Sequence, residues 1–389
     1  MTAPSHCSDS LYGELADFIR RLYGRPEGGI PLHAPVFSGR ERELLMDCID
    51  STYVSSVGAH VDRLEEMICE LTGAGYCTAV VNGTAALHLA LLIAGVRPGD
   101  EVITQPLSFV ATANAIAYCN ARPVFLDVEE RTLGLSPEAV ASFLQEQSET
   151  RAGECFNRKS GRRIAACVPM HTFGHPCRVD ELLEVCRSYG IPLIEDAAES
   201  LGSRYRGRHT GTFGLAGIFS FNGNKIITGG GGGAIITSQA DFARRAKFLS
   251  TTAKVDNLFF DHSEIGYNYR MPNINAALVC AQLEQLDFFL KEKRRIAASY
   301  GEYLQHSAVK FISEPRHARS NYWLNAVLLP DRAERDGFLR LTNERHICTR
   351  PAWKLLNTLP MYATCLTDGL QTATQLATRL VNLPSGVRR

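Results

Sequence analysis

The stretch SFNGNKIITGGGGG, Ser220 to Gly233, places one lysine, Lys225, between a serine and asparagine cluster and five consecutive glycines. Such a stretch is typical of a phosphate-binding loop, a flexible linker, or a loop that presents a catalytic amine. A dinucleotide-binding G-x-G-x-x-G opens a helix and a Walker loop reads G-x-x-x-x-G-K-[ST], whereas these glycines lead into the strand-like AIIT. A second strand-like run, GIFSF, precedes them closely, which disfavours a linker. We therefore predict a tight loop between strands that holds Lys225 among small neighbours, as a Schiff-base lysine requires.

The sequence on either side of this loop indicates the fold class. Short β-rich runs alternate with helical stretches: YCTAVVN with AALHLALLIAG, DEVITQP with ATANAIAYC, and RPVFLDV with SPEAVASFLQEQ. This alternation predicts an α/β fold with a mostly parallel sheet flanked by helices, which binds ligands at the carboxyl edge of its strands. Long amphipathic helices and short strands follow residue 250. We expect an N-terminal helical extension over residues 1–30, a large domain over 31–250 and a smaller α+β domain over 251–389.

Composition excludes several classes of function. The chain has 41 Lys plus Arg and 41 Asp plus Glu, so we expect neither nucleic acid nor a membrane surface as a partner. Its 12 cysteines form no C-x-x-C pair and are typical of buried thiols in a reducing compartment. The first residues lack the basic and apolar regions of a secretory signal, and polar residues interrupt the apolar stretch at 77–96. We expect a cytoplasmic location.

Two motifs predict polar groups at the edge of the sheet. In VVNGTAALHLAL a strand runs into Gly83 and Thr84 and then a helix, whose free N–H groups and positive dipole end suit a phosphate. The same pattern is also that of an ordinary helix cap. In IPLIEDAAES, Asp196 follows an apolar strand, and a buried carboxylate there needs a partner such as a protonated ring nitrogen. The alternative is that Asp196 caps a following helix.

Aromatic residues and a histidine-rich segment add further candidates. Phe109, in PLSFVATANAI, lies just past a strand and is either a cover for a flat ligand or a core residue. Tyr322 and Trp323, in NYWLN, either face the ligand or pack within a strand. His171, His175 and Cys177 have a spacing that a metal site could use, but no nearby acid completes the set and structural zinc normally has four ligands. We expect no metal.

Together these motifs resemble the DegT/DnrJ/EryC1/StrS family of sugar aminotransferases that depend on pyridoxal 5′-phosphate (PLP), and within it the LegC-like branch. The resemblance runs from about Pro31 to Pro384. The segments that carry it are STYVSSVGAHVDRLEE, VNGTAALHLAL, SFVATANAI, IEDAAESLGS, SFNGNKIITGGGGG and GYNYRMPNINAA. It implies the fold type I of PLP-dependent transferases, similar to aspartate aminotransferase.

The resemblance also implies roles for individual residues. Lys225 would hold the cofactor aldehyde as a Schiff base, and Asp196 would pair with the pyridinium nitrogen. The other expected cofactor-binding residues are Gly83, Thr84 and Ser220 at the phosphate, Phe109 on the ring, Glu199 near the ring hydroxyl where the family commonly has Gln, and His171 at the cofactor edge. Asn268 is expected at the phosphate of the neighbouring subunit, which implies a homodimer with shared sites. Gly231 stands where many members have a glutamate.

The implied reaction transfers an amino group from an amino acid, glutamate, to a nucleotide-linked keto sugar. The expected acceptor is C4 of a UDP-linked 2-acetamido-2,6-dideoxy-hexos-4-ulose, in surface-polysaccharide or nonulosonate biosynthesis. Relatives with a histidine in place of the lysine resemble sugar dehydratases, and this chain keeps Lys225. A dehydratase, an aminotransferase for another keto sugar, and a non-catalytic sugar-nucleotide binding or regulatory protein remain alternatives.

Overall fold

The computed structural model describes residues 6–256 and 258–388. The first part of the chain forms these helices and strands: α1 His6–Leu22, α2 Glu41–Asp50, α3 Ala59–Thr72, β1 Tyr76–Val80, α4 Gly83–Ile93, β2 Glu101–Thr104, α5 Val110–Tyr118, β3 Arg122–Phe125, α6 Pro137–Gln147, β4 Ser148–Arg151, β5 Glu154–Asn157, β6 Ile164–Val168, α7 Val179–Ser188, β7 Ile194–Asp196, β8 Arg204–Tyr205, β9 Arg208–His209, β10 Ala216–Ser220, β11 Gly233–Thr237 and α8 Ala240–Ser250.

The remaining part forms α9 Asn273–Leu283, α10 Leu286–Tyr303, β12 Lys310–Phe311, β13 Ala318–Arg319, β14 Asn325–Leu328, α11 Arg332–Glu344, β15 Arg350–Pro351, α12 Gln371–Ala377 and β16 Leu380–Leu383. None of the described helices combines the length and apolarity that a membrane span requires.

The central sheet has the strand order β1-β11-β10-β7-β6-β2-β3. Pairings are parallel from β10 through β7 and from β6 through β2 to β3, and two parallel bridges join β7 to β6. Strand β11 runs antiparallel to both of its neighbours. The cause is the connection of residues 221–232, which contains no helix, whereas a parallel pairing needs a crossover that is usually helical. The prediction of a mostly parallel sheet flanked by helices is therefore confirmed, with one strand reversed.

The second unit is a smaller antiparallel sheet of order β12-β14-β16-β15. Helix α1 packs beside α11, where the Tyr12 and Phe338 rings lie 5.4 Å apart. Helix α9 returns to pack on α2 and α3, so a segment beyond residue 250 completes the core of the first unit. The domain boundaries at residues 30 and 250 stay predictions.

Candidate active site

A cavity of about 340 Å³ lies at the carboxyl ends of the central strands. The side chains that line it come mainly from the starts of α4 and α5, the ends of β7 and β10, the loop of residues 221–232 and two segments of the C-terminal part of the chain. The predicted residues among them are Gly83, Thr84, Phe109, Asp196, Glu199, Ser220 and Lys225. Residues far apart in sequence thus meet at the edge of the sheet where ligands of open α/β folds bind.

The loop that carries Lys225 is closed at its base by hydrogen bonds. The N–H of Phe221 donates to the Gly232 carbonyl (2.9 Å), and the N–H of Gly229 donates to the Phe221 carbonyl (2.9 Å). The side-chain amide of Asn275 in α9 donates to the Gly229 carbonyl at 2.7 Å. These contacts fix the base of the loop that carries Lys225.

The glycine run lets this loop lie against the start of α4. A Cβ at Gly233 would stand 2.5 Å from the carbonyl carbon of Asn82, too close for any other residue. Gly230 and Gly232 have φ of +73° and +119°, a region that glycine enters without steric cost. Gly233 therefore permits a close backbone approach, which brings the lysine loop and the helix start to one cavity.

The amine of Lys225 lies between a carboxylate and an indole. Its Nζ is 3.4 Å from Oε1 of Glu199 and 4.1 Å from the centre of the Trp323 ring. The side chain is 12% exposed, so the amine is sheltered yet faces the cavity. An amine in this setting can reach a bound aldehyde.

Asp196 ends β7 with its carboxylate in the cavity wall. Oδ2 accepts from Oγ1 of Thr112 (2.7 Å) and Oδ1 accepts from the N–H of Ala198 (3.2 Å). Burial raises the pKa of Asp196, and these two hydrogen bonds oppose the rise. Residues 197–200 form a turn and no helix follows, so the alternative of a cap for a following helix is wrong. The two hydrogen bonds hold the carboxylate in the cavity wall.

The preceding residue, Glu195, points to the opposite face of the sheet because side chains alternate along a strand. Its carboxylate accepts from the N–H groups of Gly211, Phe213 and Gly214. It also pairs with Nε2 of His171 at 3.1 Å. Glu195 thereby anchors β7 from behind while Asp196 faces the cavity.

Glu199 is the second buried carboxylate beside Lys225. Its Oε2 accepts from the N–H of Phe173 at 2.9 Å. Burial raises the pKa of Glu199 to about 7, against the lowering effect of the Lys225 charge. Glu199 is therefore protonated more readily than an exposed glutamate.

The start of α4 forms one end of the cavity. Oδ1 of Asn82 accepts from the N–H of Ala85 at 2.7 Å and so caps the helix. Gly83 packs so closely on Ser220 that a Cβ would stand 2.9 Å from the serine Cβ. The Ser220 and Thr84 side chains and the first N–H groups of the helix converge on the cavity, an arrangement that suits a phosphate. The helix cap is therefore present, and the anion site at the same helix start stays a prediction.

Aromatic side chains form the opposite wall. Phe109 is 50% exposed, so it is a wall residue and not a core residue. Its ring lies 6.5 Å from that of Trp353 in an edge contact, and Trp353 leans on Phe173 at 5.0 Å. Trp353 was missed by the sequence analysis because it lies far along the chain in a short strand-turn segment without a recognisable motif.

Two expected site residues lie elsewhere. The ring of His171 is fully buried and does not line the cavity. Its Nδ1 accepts from the N–H of Cys177 while Nε2 donates to Glu195, so it supports β7 from behind and the expected place at the cofactor edge is wrong. Asn268 also lies outside this cavity, where its Oδ1 faces Arg270 at 3.4 Å. Its expected place in a neighbouring subunit stays a prediction.

Gly231 lines the cavity. Within residues 6–256 and 258–388, no group of three or more His, Cys, Asp or Glu side chains is arranged to hold a metal ion.

Comparison with known proteins agrees with this geometry. The sequence pattern of the DegT/DnrJ/EryC1/StrS aminotransferase family matches residues 37–388. The chain belongs to this family. It is 38% identical over 362 residues to the putative pyridoxal phosphate-dependent aminotransferase EpsN of Bacillus subtilis, covering 92% of this chain and 91% of that one. It is 36% identical over 356 residues to the GDP-perosamine synthase of Escherichia coli O157:H7, covering 92% and 93%.

A solved structure of DesI in the presence of its TDP-sugar product superposes with a TM-score of 0.80 at 28% identity, covering 94% of this chain and 91% of that one. Family membership confirms the predicted enzyme class, a PLP-dependent sugar aminotransferase. The structural likeness confirms fold type I. The LegC-like branch stays a prediction.

The residues of the cavity fit PLP. An amine, a buried carboxylate, a helix start and an aromatic wall stand around one volume, and they match the aldehyde, the ring nitrogen, the phosphate and the flat ring of the cofactor. Burying the charged side chains of Asp196 and Lys225 costs free energy, and the binding of a cofactor would explain why both are largely buried here.

Glu199→Gln is expected to change how the stability of the cofactor-free protein depends on pH. Burial raises the pKa of Glu199 to about 7 in the folded chain, against roughly 4.3 in the unfolded chain. Between these values the folded state binds a proton that the unfolded state has released. The free energy of unfolding of the wild type should therefore fall as pH rises through this window, by about 3 kcal/mol relative to the variant.

Urea unfolding at pH 5 and pH 8 measures this difference. Glu27→Gln, at an exposed position, is the matched control and should follow the wild type. A Glu199→Gln protein with the same pH dependence as the wild type would contradict the raised pKa.

Proposed function

We propose that this protein transfers an amino group from glutamate to a ketone of a nucleotide-linked sugar. The observation that carries the proposal is the meeting of Lys225, Asp196 and the α4 start in one cavity. Family membership supports the reaction class. The names of its relatives support the substrate class, since they mention GDP-perosamine and a TDP-sugar.

Lys225 is the proposed proton carrier. When bound, PLP supplies an aldehyde that condenses with primary amines and a ring that accepts the electron pair left on the donor Cα. The Nζ of Lys225, released as the donor binds, would take the proton from the donor Cα and give it to the former aldehyde carbon of the cofactor, which keeps the amino group. In the second half of the reaction it delivers a proton to the sugar carbon that receives the amino group. The loop closed at its base supports this role, because a proton carrier needs a fixed position relative to both carbons.

Asp196 is the proposed partner of the ring nitrogen. Its two hydrogen-bond donors, Thr112 and Ala198, keep the carboxylate oriented and favour its ionised form. An ionised Asp196 holds the proton on the ring nitrogen, which keeps the ring electron-poor. The start of α4, with Gly83, Thr84 and Ser220, holds the phosphate and so fixes the other end of the ring.

The nucleotide and the sugar are the finer part of the proposal. We propose a UDP-linked 2-acetamido-2,6-dideoxy-hexos-4-ulose, aminated at C4, on the basis of the resemblance to the LegC-like branch. Phe109 and Trp353 support a flat or apolar group at the mouth of the cavity, since aromatic walls favour such groups. A cytoplasmic location and a place in surface-polysaccharide or nonulosonate biosynthesis complete the proposal.

A substrate panel tests it. Purified protein with PLP and glutamate is incubated with UDP-, GDP- and dTDP-linked 4-keto-6-deoxy sugars, and products are identified by mass spectrometry together with 2-oxoglutarate. We expect an amino sugar from the UDP compound. An amino sugar from another nucleotide would correct the substrate only, and loss of water without amination would indicate a dehydratase. A protein that binds the sugars but neither takes up PLP nor reacts with glutamate would be a binding protein.

The proposed assembly is a homodimer with shared sites. Four apolar side chains of one loop stand far out in solvent, with exposed fractions of 64 to 83%: Leu258, Phe259, Phe260 and Ile265. A second copy of the chain that covers them would remove this apolar surface from water. The mass of the protein in solution, measured by light scattering, tests the dimer, and a monomer at micromolar concentration would refute it.

A further inference from the structure

Lys293, in the long helix α10, is one of the largest fully buried side chains of the described residues. Lysine is almost never fully buried unless it is paired, because an amine without partners in the interior is costly. In the described part of the chain, no acidic side chain forms an ion pair with Lys293. Its partners must therefore be of another kind.

The amine is held by two backbone carbonyls. Nζ of Lys293 donates to the carbonyl of Trp323 at 2.9 Å and to the carbonyl of Ser385 at 2.7 Å. Burial lowers the pKa of Lys293 to about 7. The neutral amine and the ammonium can each donate two hydrogen bonds, so both contacts persist in either protonation state.

Trp323 is held from two other directions as well. Its backbone N–H donates to Oδ1 of Asn321 at 2.8 Å, and its indole Nε1–H donates to the carbonyl of Asn224 at 2.7 Å. Asn224 is the residue before Lys225, and the indole ring itself lies 4.1 Å from Nζ of Lys225. Trp323 thus contacts both the backbone and the amine of the lysine loop.

We propose that Lys293 is a positioning residue of the active site, which fixes the backbone of Trp323 and thereby the indole against which the amine of Lys225 rests. Three segments that are far apart in sequence meet at this one nitrogen: helix α10, the residues just before β14 at Trp323, and the residues just after β16 at Ser385. An apolar side chain of similar length would leave the two carbonyls buried without a donor. The backbone at Trp323 would then move to find one.

The two tryptophans of the chain, Trp323 and Trp353, both line the cavity, which gives a direct readout. In a Trp353→Phe background only Trp323 fluoresces. Lys293→Met should shift its emission to longer wavelength. Its quenching constant with acrylamide should rise by at least about twofold, because a ring released from a packed site becomes accessible. This measurement uses the cofactor-free protein and does not depend on the proposed function.

Lys291→Met is the matched control, since Lys291 lies on the same helix two residues earlier and is exposed. It should leave both fluorescence properties unchanged. If Lys293→Met does not fold, Lys293→Gln takes its place with the same expected changes, because its amide nitrogen lies one atom nearer the backbone and does not reach both carbonyls. If neither variant folds, the residue supports the whole fold and the proposed role is refuted.

A second readout rests on the proposed function. With Trp353 present and PLP bound, Lys293→Met should lower kcat about tenfold, since a small misplacement of the proton carrier is costly. The KM for glutamate should stay within about twofold, because the substituted residue does not line the cavity. A folded Lys293→Met protein with unchanged Trp323 emission and quenching overturns the proposal. If the fluorescence changes are present but no aminotransferase activity exists in the wild type, the proposed function fails while the positioning role stands.

Discussion

Lys225→Ala is expected to lower steady turnover by about 10⁴-fold, the upper end of what a positioned acid–base group contributes. The variant loses both the covalent attachment of the cofactor and the amine that carries the proton at the donor Cα. It also removes the cation beside Glu199, so the pKa of that acid should rise further. Turnover is measured as 2-oxoglutarate formed from glutamate with a keto-sugar acceptor, and the visible absorbance of the lysine-bound cofactor should be absent.

Lys225→Arg separates charge from covalent chemistry. The guanidinium keeps a positive charge next to Glu199 and Trp323, but it does not form the imine that an amine forms. We expect turnover as low as in Lys225→Ala, with stability closer to the wild type. Steady turnover by either variant, or retention of the visible absorbance, would remove Lys225 from its proposed role.

Asp196→Asn is expected to lower turnover by about 10²- to 10³-fold, a typical loss for one electrostatic contact to a reacting system. The neutral amide cannot hold the proton on the ring nitrogen, so the ring accepts electrons less readily. The substitution should leave the fold intact. The amide oxygen can still accept from Ala198, and the Thr112 hydroxyl can turn to Ser108, whose Oγ lies 2.8 Å away.

Thr112→Val is the graded comparison for this prediction. It removes the hydroxyl that donates to Asp196 at 2.7 Å and leaves the carboxylate in place, so burial should raise the pKa of Asp196 further. We expect turnover to fall by about tenfold, which corresponds to the free energy of one hydrogen bond to a charged group. Near-normal turnover by a folded Asp196→Asn protein would refute the pairing of Asp196 with the ring nitrogen.

Local sequence patterns predicted the sheet and the side chains that follow its strands. Asp196 and Ser220 are the last residues of apolar strands. Gly83 and Thr84 are the first residues of the helix that follows a third apolar strand. Parallel strands bring such positions to one edge, so no long-range information was needed. The direction of β11 was not predictable from its apolar pattern, because alternation is the same in both directions; only the short, helix-free connection that holds Lys225 determines it.

The opposite wall of the cavity was not predictable in the same way. Trp353 joins the site through the packing of the C-terminal part against the sheet, which no local pattern encodes. His171 was misplaced because the sequence does not show which face of the sheet a residue beyond β6 will occupy. The His171 ring faces Glu195, because that buried carboxylate can accept a further hydrogen bond and the Nε2–H of His171 donates it.

The hydrogen bonds that close the base of the lysine loop keep its backbone in position independently of the wall residue Trp353. Reactive groups sit on a backbone that is tied to the sheet and to α9, whereas Trp353 projects from a segment outside that tied region. Selection for a new sugar can therefore act on Trp353 while the reactive groups keep their positions, and a protein engineer who wants a different acceptor should begin at Trp353 and leave the glycine run intact.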